Sequence, residues 1–353
     1  MKFHEDLFEL LPKLSLAFGP TGCEKRVLDL IKTGLDGVCD CTFDAVGNLI
    51  CRLPGEKGTS YAFISGVDEV GFMITKIDDK GYLRVESTSS GDPACFLGKK
   101  MVAGGDAQLF EGVGAAKVLH TLKGNERTDA PEFERLFIDL GFEKKEELEN
   151  KIEVGDFAAF KGDYFEMPHD HIVGKALECR ANCAILVTLL KLASKLKKEE
   201  RNDLTVIFAV KEKIGFSGAV TALHRLAPDR AVLLGFEPSC DLDEKDADRK
   251  GALLGKGPVL PLKDGRALYY DDPVFFERAK NACGSQFTQI LDGSQTLSSS
   301  RAHLVLAGVP MISLRLPCHN PETPYVIVNK TDIERTLSKV WSLAVFADDD
   351  GRR

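Results

Sequence analysis

Residues 204–218 (LTVIFAVKEKIGFSG) place Lys211, Glu212 and Lys213 after a β-branched run and before a Gly-Phe-Ser-Gly turn. The pattern predicts a buried strand that leaves through a charged loop and enters a helix. In open α/β sheets the carboxyl end of a central strand is where ligands bind. A carboxylate there can move a proton or hold a cation, while flanking ammonium groups can reduce it to a salt-bridged strand end. Sulfur and imidazole are the other candidates. Cys318 and His319 are neighbours, yet a nucleophile and its base need a spatial geometry that adjacency does not supply. Cys39 and Cys41 alternate along an expected strand, and Cys179 and Cys183 lie four apart on an expected helix; buried free thiols are the default for all of them. His169 and His171 flank Asp170 where a hinge or surface role is expected, and neither these nor His4, His120, His224 and His303 have metal-motif spacing.

The elements that must position these residues fall into two textures. Residues 5–17 and 23–35 have helical apolar spacing, and residues 38–43, 48–53 and 61–65 read as strands. After Asp68 the chain becomes a series of short strands, 71–77, 82–86, 99–102, 114–122, 135–139 and 156–160, with one short helix at 144–151. After His171 helices and strands alternate: helix 179–196, strand 204–210, helix 215–226, strand 231–236, a strand near Val259, helix 273–282, strand 286–291, helix 298–306, strand 310–316 and helix 330–345. Such alternation predicts a mostly parallel sheet flanked by helices. The expected architecture is therefore α/β, with residues 1–67 and 168–353 forming one discontinuous domain and residues 68–167 an inserted small β-barrel domain.

With 353 residues, 44% hydrophobic and 28% charged, the chain can bury a full core. A net charge of −8 without a basic stripe argues against nucleic acid as a partner. No apolar run reaches the ~18 residues of a membrane span, and the N-terminal pattern lacks a signal-peptide cleavage site. Ten irregularly spaced cysteines without a CxxC pair do not form a disulfide framework, so the expected compartment is the cytoplasm.

Ten segments in register then resemble one family: 19–27 (GPTGCEKRV), 44–49 (DAVGNL), 68–72 (DEVGF), 137–141 (FIDLG), 154–156 (VGD), 174–180 (GKALECR), 209–219 (AVKEKIGFSGA), 254–258 (LGKGP), 308–310 (GVP) and 317–324. The chain resembles the metallopeptidase family 42 aminopeptidases, glutamyl or deblocking enzymes with two zinc or cobalt ions that assemble into tetrahedral dodecamers. The resemblance implies a zinc-aminopeptidase-like fold, peptides as partners and a homo-oligomer, a dimer or a dodecamer.

It also implies a site. Glu212 falls on the family's general base and Asp68 on the residue that orients a metal-bound histidine. The five metal-ligand positions are substituted: Gly66 and Glu322 stand at histidines, Glu178 at the bridging aspartate, Lys213 at a glutamate and Gly235 at an aspartate. His319 and Asn320 stand where the family has Arg and Tyr. A Lys213 ammonium ~4 Å from a dication would be repelled by ~8 kcal/mol at an effective dielectric of ~20. The expectation is a centre without metal or other cofactor, held by Lys213 among Glu178, Glu212 and Glu322, in a peptide-binding, regulatory or assembly protein. The alternative is an active aminopeptidase with a rebuilt single-metal site, its ion on Glu178, Glu212 and Glu322 with help from Glu237, Cys179 or His319, although using Glu212 as a ligand would remove the base. A third reading, metal-free nucleophilic catalysis, rests on Cys318 with His319 or on Cys179, whose pKa a nearby Lys213 would lower.

Overall fold

Four strands supply the parallel centre of the main sheet, and nearly all of their residues are buried on either face. In the computed structural model, which describes residues 5–89, 91–105, 107–117, 132–239, 251–261, 263–264, 267–268, 273–281, 289–291 and 307–345, eight strands lie side by side. The edge strand β1 (Asp40–Phe43) pairs antiparallel with β2 (Leu49–Leu53). Next to β2 comes β12 (Asp203–Ala209), antiparallel to it, followed in parallel by β3 (Ser60–Gly66), β13 (Arg230–Pro238) and β18 (Met311–Cys318). β14 (Val259–Pro261) and β17 (Gln289–Leu291) complete the other edge.

Successive residues on these strands enter different layers, as the two-residue period requires. Phe63, Phe208 and Leu234 belong to the larger core, with α1 (Glu5–Leu16), α2 (Lys25–Gly34), α3 (Leu177–Ala193), α5 (Pro273–Asn281) and α6 (Lys330–Val345). Ile64, Ile207 and Leu233 belong to the smaller core under α4 (Ser217–Leu226). α3 is apolar nearly all round and is buried along almost its whole length, the expected fate of such a helix. Its first turn carries Glu178, Cys179 and Arg180 into the interior.

The insert is a closed antiparallel barrel of β4 (Gly71–Ile77), β5 (Leu83–Ser87), β6 (Lys100–Gly104), β7 (Leu109–Ala116), β8 (Leu136–Asp139) and β9 (Phe157–Phe160), ordered β4-β5-β8-β7-β6-β9. It has its own core, in which Phe72 meets Phe96 edge-on at 5.0 Å and Phe160 at 5.5 Å between ring centroids. A separate three-stranded sheet joins β10 (Tyr164–Met167), β11 (His171–Gly174) and β19 (Val326–Asn329), and β15 (Lys263–Asp264) pairs with β16 (Ala267–Leu268).

The α/β sheet with helices on both faces and the inserted barrel agree with the sequence reading, and several details correct it. Residues 144–151 form a 3₁₀ turn, Lys145–Leu148, because four residues with two adjacent acids at the start give too little apolar surface for a full helix. The strand expected at 114–122 begins five residues earlier, at Leu109, since its partners on β6 reach Gly104. β10, β11 and β19 were not anticipated. The expected helix 298–306, His4, His120 and His303 lie outside the described residues. Among the described residues no helix is long and apolar enough to cross a membrane.

Candidate functional site

The carboxyl ends of β3, β12 and β13 open onto one region, and the loop after β12 is built into it by hydrogen bonds. Lys211 takes a positive φ of 61° and Phe216 one of 55°, conformations that side chains beyond glycine adopt at a cost. Compensation comes from outside the loop. Asn48 accepts from Val210 N at 3.0 Å and donates to Gly218 O at 2.9 Å, while Glu24 accepts from Lys211 N at 3.0 Å. Asp68, fully buried, accepts from Glu212 N at 2.8 Å, Lys213 N at 3.0 Å and Thr21 Oγ1 at 2.7 Å. Its carboxylate thus clamps the backbone that presents Glu212 and Lys213.

Lys213 points inward. Its side chain is 3% exposed, and Nζ lies 3.5 Å from Glu178 Oε1 and 3.3 Å from Glu322 Oε1. Nζ also sits 5.1 Å from the centroid of the Phe236 ring, whose negative face suits a cation. Burial works against the ammonium charge, but the negative charge around it, the carboxylates of Glu178, Glu212 and Glu322 included, outweighs it and holds the group well above its ordinary pKa. Glu178, in the first turn of α3, is raised by burial and drawn back down by Lys213. Its Oε1 accepts from Glu322 N at 3.3 Å, whereas its Oε2 has no hydrogen-bond partner. Glu322 itself adopts a positive φ of 63°.

Glu212 takes a different direction. Its Oε2 accepts from Cys179 Sγ at 2.9 Å, and a Cβ added to Gly66 would come within 1.8 Å of the same oxygen. The Glu212 carboxylate therefore fills the space in which a side chain at position 66 would begin. Burial pushes its pKa up to about 7, in spite of Lys213. Gly235 is the opposite case: an added Cβ would find only Arg315 Cγ, at 3.9 Å. The Gly235 carbonyl accepts from Asn182 Nδ2 at 2.9 Å.

Glu178, Lys213 and Glu322 are thus brought together, with Glu212 and Gly66 in contact beside them and Gly235 next to the ring on which Lys213 rests. Some expected helpers are engaged elsewhere. Glu237 is fully buried against Arg315, Nη1 to Oε2 at 2.8 Å. Burial raises the Cys179 thiol well above its ordinary pKa, with the negative charge of Glu212 adding to the effect, so proximity to Lys213 does not produce a ready thiolate. Cys318 is likewise raised by burial and by Glu178. It ends a strand whose next residue, His319, bridges to Ile327, and consecutive strand residues point to opposite faces.

Sequence reasoning did not assign roles to Thr21, Glu24 and Asn48, although GPTGCEKRV and DAVGNL contain them. Nor did it anticipate the buried group of Glu69, Lys175 and Arg180. Lys175 Nζ lies 2.6 Å from Glu69 Oε1, Gly19 N donates to the same oxygen at 2.9 Å, and Arg180 donates to Leu14 O and Gly19 O. Two adjacent motifs, DEVGF and GKALECR, are there held to the end of α1.

A model of the M42 glutamyl aminopeptidases matches residues 47–338. FrvX of Escherichia coli (strain K12) is 28% identical over 340 residues, covering 94% of this chain and 93% of that protein. Among solved structures, aminopeptidase APDkam598 from the archaeon Desulfurococcus kamchatkensis superposes with a TM-score of 0.87 at 26% identity, covering 98% of this chain and 96% of its own. PhTET1-12s, a dodecamer, gives a TM-score of 0.81 at 25% identity, with coverage of 95% and 98%.

Proposed function

Because the chain belongs to the M42 glutamyl aminopeptidase family, we propose that it is a member whose centre works without the family's metal ions, as a peptide-binding, regulatory or assembly subunit. The family consists of dinuclear metal aminopeptidases, so the test is whether these residues fit two dications. They do not. Gly66 and Gly235 offer no donor, and the space beside Gly66 belongs to Glu212. The observation that carries the reading is Lys213 Nζ between Glu178 and Glu322, where its single positive charge compensates two carboxylates that would otherwise face a metal. Glu212, at the family's base position, hydrogen-bonds to a thiol instead of lying free to activate water. Asp68, at the position that orients a metal-bound histidine, serves as the backbone clamp.

A second reading has its own support. Glu178 Oε2 is buried without a hydrogen-bond partner, and a Glu212 pKa of about 7 suits a proton acceptor at neutral pH. One ion on Glu178 and Glu322, with Lys213 displaced, would then serve an aminopeptidase acting on peptide N-termini. An assay with fluorogenic aminoacyl amides of acidic, basic and apolar residues, each with and without added zinc, cobalt or manganese, separates the two. The first reading expects no metal-stimulated turnover. Turnover that a chelator and Glu212→Gln both abolish would establish the second instead.

The barrel and the whole-chain likeness to a dodecameric relative support a closed homo-oligomer for this chain as well.

A further inference from the structure

The edge of the main sheet carries a second group of side chains, which the aminopeptidase-family reading does not use. Cys41 on β1 lies directly opposite Cys51 on β2 in the antiparallel register. Cys39 precedes Cys41 by two residues and so shares its face, diagonal to Cys51. All three thiols pack on the larger core, with Cys51 buried and Cys39 and Cys41 half-buried. Cys39 Sγ is 3.6 Å from Cys41 Sγ, Cys41 Sγ donates to Cys51 Sγ at 2.8 Å, and the three sulfurs lie within 4.8 Å of one another. We propose that Cys39, Cys41 and Cys51 form a binding site for one soft, thiophilic d¹⁰ cation, monovalent copper.

The geometry favours this class of ligand for three reasons. Two sulfurs each ~2.3 Å from one ion at a tetrahedral angle stand ~3.8 Å apart, and wider in a trigonal arrangement. The Cys39–Cys41 spacing is already close to that, and only the Cys41–Cys51 pair must open by about 1 Å. The donor set is all sulfur: among the described residues no histidine or carboxylate completes the group. Structural zinc takes four protein ligands, whereas three thiolates suit a monovalent d¹⁰ ion. Each thiol would release its proton on binding the ion.

The site is separate from the Lys213 centre. Cys51 pairs with Val206, three residues before the end of β12, roughly 10 Å up the strand from the level of Gly66 and Ala209. A metal found on this protein could therefore belong to the sulfurs and say nothing of Glu178 or Glu322.

The test is an anaerobic titration of the reduced full-length protein with Cu(I) against a chromophoric Cu(I) chelator, with a parallel zinc titration. One equivalent of copper should be retained, with a sulfur-to-copper ultraviolet absorption that saturates at that equivalent. Cys39→Ser, a change at a half-buried position that keeps the fold, should weaken retention roughly 100-fold, the share of one ligand in a thiolate site. Cys95→Ser, in the barrel, should leave retention unchanged. Loss of all copper to the chelator, equal retention by Cys39→Ser, or tighter binding of zinc than of copper would each overturn the proposal.

Discussion

Lys213 does at this centre what a lysine rarely does: it is buried and remains charged. Two carboxylates at 3.3 and 3.5 Å and a ring face compensate its charge, although Nζ donates no hydrogen bond. Removing one partner of such a group leaves the others uncompensated, which typically costs ~3–5 kcal/mol. Lys213→Ala should therefore lower the unfolding free energy by about 3 kcal/mol or more in urea titrations at neutral pH. Adding Glu178→Gln should recover part of it, because the two changes remove opposite charges from one network. A neutral Lys213→Ala would remove the network from the account. The two glycines offer a contrast. Gly66→Ala, with its Cβ driven into Glu212, should cost ~1–3 kcal/mol as overpacking, whereas Gly235→Ala has room and should stay within ~0.5 kcal/mol. Equal effects at the two positions would show that Glu212 does not occupy the space beside Gly66.

The pH dependence also belongs to single residues. Glu212 has a folded-state pKa of about 7 against an ordinary 4.5. An acid raised in this way holds its proton more tightly in the folded state. Its contribution to stability is complete below about 4.5 and is lost as pH rises through about 7, on the order of 3 kcal/mol in all. The difference in stability between the wild-type protein and Glu212→Gln should accordingly change across pH 4.5–7 and level off above it. A difference independent of pH would mean that Glu212 is not desolvated.

At the scale of elements, the loop after β12 is the part whose conformation the rest must enforce. Lys211 and Phe216 are both at positive φ, and Asp68 holds the amides of Glu212 and Lys213 between them. Asp68→Ala would leave buried donors unsatisfied at ~1–3 kcal/mol each. It should therefore cost more than Thr21→Ala, and in hydrogen exchange the amides of Glu212 and Lys213 should lose protection while those of β12 keep theirs. Retained protection at 212 and 213 would assign the loop's order to Asn48 and Glu24 alone. How much could be read without a structure differs between such elements. The run LTVIFA announces a strand buried on both faces, and ten segments in register announce the family fold. The identities at positions 178, 212, 213 and 322 were legible because each falls within such a segment, that at 66 because it stands two residues before DEVGF, and that at 235 because it lies on the strand that follows AVKEKIGFSGA. The clamp was not, because Thr21, Asn48 and Asp68 are far apart in sequence, and Asn48 and Asp68 reach the loop only when β2 and β3 pair with β12. β11 and β19, four residues each, were missed because so short a run has no measurable period, and its pairing is decided by a partner some 150 residues away. The direction of Glu212, toward Cys179 and the space beside Gly66, depends on rotamers that spacing does not encode.

At the scale of the whole molecule, one protein combines an aminopeptidase-family fold, a buried lysine-centred network beyond the carboxyl ends of the central strands and a sulfur cluster at the sheet edge. Assembly is the first consequence to examine. In light scattering the protein should have a mass well above the 38.7 kDa of one chain, toward the twelvefold value of its dodecameric relative. A monomer would show that this chain's barrel does not make the contacts of that relative. The central claim, however, concerns charge: Lys213 stands in for metal. Its most direct test is the metal content per chain, by plasma mass spectrometry, of Cys39→Ser protein incubated with zinc, cobalt, manganese and magnesium and then desalted. The variant weakens the sulfur cluster as a competing site. The account predicts no stoichiometric metal; one ion per chain would point to a rebuilt site on Glu178 and Glu322, and a pair of ions would contradict the account outright.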